Sequence, residues 1–172
     1  MKRSIALVLS SVVIAVIAAC SSPDGNAKVN ADVGLKGAEF RQVSAAMVYH
    51  CGTIDCHGDN FRNMRLYGWG GLRLRPDLEP DGEKLIAQPE VDANYQSVVG
   101  VEPELFAQVV NEGGRDPERL GIVAKARAVQ NHKGGPVMKP GDPIDNCITA
   151  WLRKDVAVVA TECQKANVLN VQ

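Results

Sequence analysis

An apolar run near the start of this chain, too short to cross a bilayer, is expected to take its first nineteen residues out of any core. Met1-Lys2-Arg3 is a short positive stretch, and Ile5 to Ala18 is apolar except at Ser10 and Ser11. That order of charged and apolar regions is the pattern of an export signal. Spanning a membrane takes roughly 18 to 20 apolar residues, and no stop-transfer pattern comes after the run. Residues 1–19 are therefore read as a removable signal peptide. Ser21 to Lys36 is rich in Ser, Asp, Asn and Gly and lacks apolar periodicity, so residues 20–36 are read as a flexible tether. Residues 37–172 are enough for one folded domain and short for two.

The residues that end the run narrow its class. Ile17-Ala18-Ala19-Cys20 resembles the lipobox of bacterial lipoproteins, with Ile17 where that pattern prefers Leu. The resemblance implies that Cys20 takes a diacylglyceryl group, becomes the first residue of the mature chain and anchors it to a membrane of the cell envelope. Ser21 stands where an inner-membrane retention signal carries Asp, so the outer membrane is the implied destination, with the domain facing the periplasm or the cell surface.

Charge excludes one class of partner. Lys2 and Arg3 are two of nineteen basic residues, so seventeen face all twenty acidic ones after the signal, for a net of −3. With that balance, and no basic run, a nucleic-acid partner is not expected. Export also bears on Cys51, Cys56, Cys147 and Cys163, because paired thiols seldom persist unmodified in an oxidising compartment. Four cysteines allow three full pairings, and sequence does not choose among them.

Apolar spacing predicts helices with long loops between them. Phe40, Val43, Ala46 and Met47 mark a helix over Glu39 to His50; Val91, Tyr95, Val98 and Val99 mark another, closed by Gly100. Pro103 opens a segment ended by Gly113-Gly114. Asp116-Pro117 and Asp142-Pro143 each read as an N-cap followed by a first-turn proline. The second leads into the strongest stripe, Ile144, Cys147, Ile148, Trp151 and Leu152, and a last helix is expected over Val156 to Ala166. From Asp59 to Asp81 the density of Gly, Arg and Pro predicts a wrapped loop, with at most a short strand at Leu72 to Leu74. The fold class is mainly α. Cys147 faces inward on its stripe, and a helical hairpin would bring Cys163 beside it as a disulfide; pairing of Cys147 with Cys51 or Cys56 is the alternative.

The segment Cys51-Gly52-Thr53-Ile54-Asp55-Cys56-His57 carries the sharpest chemistry. Haem c is held by two cysteine thioethers, and the histidine after the second cysteine ligates iron. The usual spacing has two residues between the cysteines and this chain has four, a bulge that Gly52 eases. Two other readings stand beside it: a Cys51–Cys56 disulfide, and a zinc site of Cys51, Cys56 and His57 completed by His132 or Cys147.

With these residues, the Gly134-Gly135-Pro136-Val137-Met138-Lys139-Pro140 loop and the Trp151-Leu152 helix after it, the domain resembles a small single-haem c-type cytochrome. The likeness covers the two ends of the domain; 61–118 matches no motif. It implies a covalent haem c on Cys51 and Cys56, His57 as one axial ligand, Met138 as the other with His132 as the alternative, and a last helix packed across the first. It implies an electron carrier between redox protein partners rather than a catalyst. Tyr67, Trp69 and Trp151 are candidate pocket walls, and Arg62, Arg65 and Arg73 candidate partners of the haem propionates. A disulfide-stapled interaction lipoprotein without a cofactor, and a haem enzyme or sensor with an open distal position, are the alternatives. No nucleophile elbow, phosphate-cradling loop or metalloprotease histidine pair supports a hydrolase or transferase.

Overall fold

A computed structural model describes residues 34–78 and 86–167. The expected signal peptide, the lipidation candidate Cys20 and the expected tether up to residue 33 lie outside the described residues. The described part is mainly helical: α1 (Phe40–Cys51), α2 (Gln88–Val99), α3 (Pro103–Asn111), a 3-10 turn (Pro117–Arg119), α4 (Gly121–Ala126), α5 (Pro143–Leu152) and α6 (Val156–Asn167). None of these is long and apolar enough to cross a membrane.

The core forms where the predicted stripes meet. Ile144, Cys147, Ile148, Trp151 and Leu152 of α5 are all buried, together with Phe40, Val43 and Met47 of α1 and Tyr95 and Val98 of α2. Trp151 is fully enclosed. Its ring lies 5.1 Å from Phe40 and 5.9 Å from Phe106, and its indole N–H donates to the Leu35 carbonyl at 3.0 Å. A buried indole needs such an acceptor, since an unpaired N–H forfeits its hydration. Helix α6 packs against both α5 and α1. At the end of α1, His50 Nε2 donates to the Ala166 carbonyl at 2.9 Å, so this histidine ties the two helices together.

Cys147 and Cys163 form a disulfide that joins α5 to α6. Pairing of Cys147 with Cys51 or Cys56 is thereby excluded, as is its place in a zinc site. The link closes a loop with a sequence separation of 16. Closing a loop of that size constrains the unfolded chain by about 3 kcal/mol. A Cys147→Ala/Cys163→Ala double variant should lose about that much stability in urea titration; an unchanged midpoint would mean the bond adds nothing.

Two sequence expectations change. Asp116 does not cap a helix: it sits in the left-handed region at φ 48, Pro117 begins only a three-residue turn, and α4 starts at Gly121. The N–H of Gly121 is instead capped by the Glu102 carboxylate at 2.7 Å, from a distant part of the chain. At Leu72 no strand forms, and the contact is an isolated bridge between Tyr67 and Leu72. The loop here packs backbone on backbone. A side chain at Gly71 would strike the Gly52 carbonyl and Gly58, and one at Gly58 would strike Gly52. Buried Asn94 holds the same loop, accepting from the Tyr67 N–H at 2.7 Å and donating to its carbonyl at 2.9 Å, while also donating to Ser44 on α1.

Buried acidic groups brace the remaining loops. Glu90 is fully buried and accepts from Arg73 Nε at 2.7 Å, from the Leu74 N–H at 3.3 Å and from the Ala87 N–H at 3.1 Å. Asp145, at the start of α5, receives a two-pronged bond from Arg127 at 2.7 and 2.9 Å, and the N–H of Gly141 at 3.0 Å. That pair clamps both ends of the loop between α4 and α5, where His132 and Met138 lie.

Candidate functional site

Helix α1 ends at Cys51, and the chain then turns tightly enough to return to it. The His57 N–H donates to the Cys51 carbonyl at 2.8 Å, and the N–H groups of Cys56 and Gly58 both reach the Thr53 carbonyl at 2.9 Å. Arg62 clasps the turn from outside, donating to the carbonyls of Cys56 at 2.8 Å and Asp55 at 3.0 Å. The four residues between the cysteines are thus taken up as a hydrogen-bonded bulge. Cys51 and Cys56 are both free thiols, so the disulfide reading of this pair is not realised.

The His57 ring is fixed by its Nδ1, 2.9 Å from the Met64 carbonyl. A carbonyl only accepts, so Nδ1 carries the proton and the lone pair of the neutral ring lies on Nε2. Burial pushes the His57 pKa below its ordinary value of 6.5, with His132, Arg62 and Lys125 adding to that effect against the pull of the Met64 carbonyl. The ring is therefore neutral at physiological pH and able to ligate a metal. Metal-bound histidines commonly have their second nitrogen held in this way.

His57 borders a cavity of about 470 Å³ and a smaller one of about 130 Å³. Cys51, His57, Arg62, His132, Lys133 and Val137 line both, so the two cavities meet around the histidines, and Cys56 lines the smaller. The larger volume falls within the roughly 300–1,000 Å³ of sites that hold organic cofactors. Arg62, Lys125 and Lys133 outnumber the single carboxylate, Glu102, on its wall. That balance suits a ligand with acidic side groups. The free thiol of Cys51 and the His57 imidazole thus border a net basic cavity, and the free thiol of Cys56 borders the smaller one beside it. Among the described residues no group of three or more His, Cys, Asp or Glu converges on a point that could hold a bare metal ion.

Cys51 sits where α1 meets the cavity. Part of the residue is solvent-accessible, yet its sulfur is densely surrounded, and burial, with Cys56 adding, pushes the thiol up to about 12. It is protonated at neutral pH and a poor spontaneous nucleophile.

His132 and Met138 are placed differently. The His132 ring lies nearly parallel to that of His57, 10° between planes and 6.1 Å between centres. Met138 is buried in the core and lines neither cavity. Its position follows from the backbone: the N–H groups of Val137 and Met138 both donate to the Ala126 carbonyl, at 2.9 and 3.2 Å, which turns the chain inward. Tyr67, Trp69 and Trp151 also line neither cavity. Of the three arginines, Arg62 reaches the cavities, Arg65 donates to the Arg62 carbonyl, and Arg73 is taken by Glu90. Sequence reasoning missed Lys125, Lys133 and the Met64 carbonyl, none of which belongs to a local motif, and gave no role to Val137 within the quoted Gly134 to Pro140 loop.

Protonation of His57 gives a pH test on the haem-free chain. Because its folded pKa is depressed, its contribution to stability is complete above 6.5 and is lost as pH falls from there through the lowered folded value. The urea midpoint should drop over that acidic window in the native sequence and drop less in His57→Gln. Parallel curves would contradict the assignment.

No protein-family model matches the chain, and no solved structure matches it. Over 87 residues it is 30% identical to the cytoplasmic C-1-tetrahydrofolate synthase of Schizosaccharomyces pombe. That match covers 51% of this chain and 9% of the synthase. The chain thus spans less than a tenth of that relative's length, which leaves its family open.

Proposed function

We propose that this chain is a lipid-anchored single-haem c-type cytochrome that passes single electrons between protein partners at the cell envelope. The observation that carries the reading is the disposition of His57. Its Nδ1 is held by the Met64 carbonyl and its Nε2 is left for the cavity, one residue after Cys56 and hydrogen-bonded through its backbone to Cys51.

In this reading the thiols of Cys51 and Cys56 each add across a vinyl group. A carbon–sulfur bond forms, the thiol proton ends on the neighbouring carbon, and no oxidant is consumed. In the folded chain burial raises the Cys51 pKa to about 12, so little of its reactive thiolate is present there. His57 would hold the iron through Nε2, and Arg62, Lys125 and Lys133 would supply positive charge for the propionates. Bound haem would supply the one-electron couple, while the chain buries it and limits access of water. The Cys20 lipid would hold the domain at the membrane, leaving its surface to meet donor and acceptor proteins.

The test is expression with and without haem-attachment machinery. With it, the purified protein should gain the mass of one haem and show a sharp α-band on reduction. An unmodified mass with Cys51 and Cys56 oxidised to each other would overturn the reading and leave a disulfide-stapled lipoprotein without a cofactor.

A further inference from the structure

We infer that Arg62 is a positioning residue for covalent attachment at Cys56: its guanidinium fork sets the backbone on both sides of that cysteine and so makes the four-residue spacing workable. This rests on the haem reading above.

Inside the bulge the N–H groups are served by the turn itself. Those of Cys56 and Gly58 meet the Thr53 carbonyl, and that of His57 meets the Cys51 carbonyl. The carbonyls of Asp55 and Cys56 are taken instead by two arms of one side chain, Nη2 and Nε of Arg62, at 3.0 and 2.8 Å. These two carbonyls belong to the peptide planes that flank Cys56. A planar fork that holds both fixes the two planes, and with them the direction in which the Cys56 side chain leaves the backbone. The second plane also carries the N–H of His57.

Arg62 reaches the turn from a braced backbone. Its N–H donates to the Asp59 carbonyl at 3.3 Å, and its own carbonyl accepts from Arg65 Nε at 3.2 Å. Cys51 has a different support, because it closes α1 and the helix sets its place. The two cysteines are therefore held by separate means, one by a helix and the other by a side chain that lies six residues further on. Lysine is no substitute at 62, since an ammonium is a point charge on a flexible stem and lacks the fork. Service to a propionate through charge alone would make lysine an adequate replacement. The two roles thus predict opposite outcomes for one substitution.

The experiment places Arg62→Lys in the Cys51→Ser and Cys56→Ser backgrounds, each made as the full chain with haem-attachment machinery, and reads haem stain per amount of protein. In Cys51→Ser, where only Cys56 can hold haem, Arg62→Lys should cut the stain about tenfold, in line with loss of a charged hydrogen-bonded fork. In Cys56→Ser the same change should leave the stain unchanged. Equal losses in both backgrounds would show a general structural role, and no loss in either would show that charge suffices; each result overturns the inference. If the Cys51→Ser/Arg62→Lys chain fails to fold, as judged by circular dichroism, hydrogen exchange of the haem-free full chain decides. There Arg62→Lys alone should speed exchange at the amides of Cys56, His57 and Gly58 about tenfold and leave α5 as it was, and unchanged exchange at those three overturns the inference. If wild type carries no haem by mass, this inference and the preceding reading fall together; if it carries haem and Arg62→Lys does not discriminate between the cysteines, only this one falls.

Discussion

Replacing Cys51 and Cys56 together with Ser should abolish covalent haem entirely, whereas either single replacement should leave a haem held by one thioether. The distinction comes from the turn that joins them. Cys51 ends α1 and Cys56 precedes His57, and the backbone bond from His57 to Cys51 ties the two positions into one loop. Each sulfur can therefore still be presented when the other is missing. Haem staining after denaturing electrophoresis, with intact mass, reads the outcome directly. The double variant should carry no stain, and each single variant should stain with a shifted α-band, because one vinyl group then stays unsaturated. Staining of the double variant would mean that the covalent link lies elsewhere. Loss in neither single nor double variant would leave the two sulfurs without a role in attachment.

The second large effect is expected in the core. Trp151→Ala should cost about 3–5 kcal/mol, a large part of the roughly 5–15 kcal/mol by which domains are stable. The residue is fully buried, its ring is held between Phe40 and Phe106, and its N–H serves the Leu35 carbonyl. Removal leaves a cavity bounded by α1 and α3 and a buried carbonyl without its donor. Trp151→Phe separates the two contributions. It refills most of the volume and should lose only about 1 kcal/mol for the hydrogen bond plus a smaller packing loss. A denaturant titration of both variants checks the ordering, and near-equal losses would show that the hydrogen bond, not the ring, dominates. Because Trp151 lines neither cavity, Trp151→Phe should leave haem attachment intact.

Much of the helical framework was legible in the sequence because its periodicity reports burial directly. Five stripe residues predicted for α5 are all buried, and the helix expected over Glu39 to His50 forms as Phe40–Cys51. Local start signals were less informative. Asp142-Pro143 does open α5, but the Asp142 carboxylate accepts from the Lys139 N–H, outside the helix, and Asp145 takes the Gly141 N–H. Asp116-Pro117 reads identically, yet α4 begins at Gly121 because a carboxylate from Glu102 reaches it through space. Tertiary capping leaves no trace in local sequence. The candidate site divides in the same way. Cys51, Cys56 and His57 form a contiguous motif that could be read in advance. The approach of His132 to His57, and the diversion of Met138 into the core by two bonds to Ala126, depend on how the loop between α4 and α5 is clamped by Arg127 and Asp145. Nothing in the spacing of those residues encodes that outcome.

A cytochrome at this site depends on two carbon–sulfur bonds. Proteolysis of protein made with haem-attachment machinery, with tandem mass spectrometry of the peptide spanning residues 51–57, tests it most directly. One haem on that peptide, with fragment ions placing a bond at both Cys51 and Cys56, is the expected result. A haem-free peptide with free or mutually oxidised cysteines, from cells that attach haem to a control cytochrome, would contradict it.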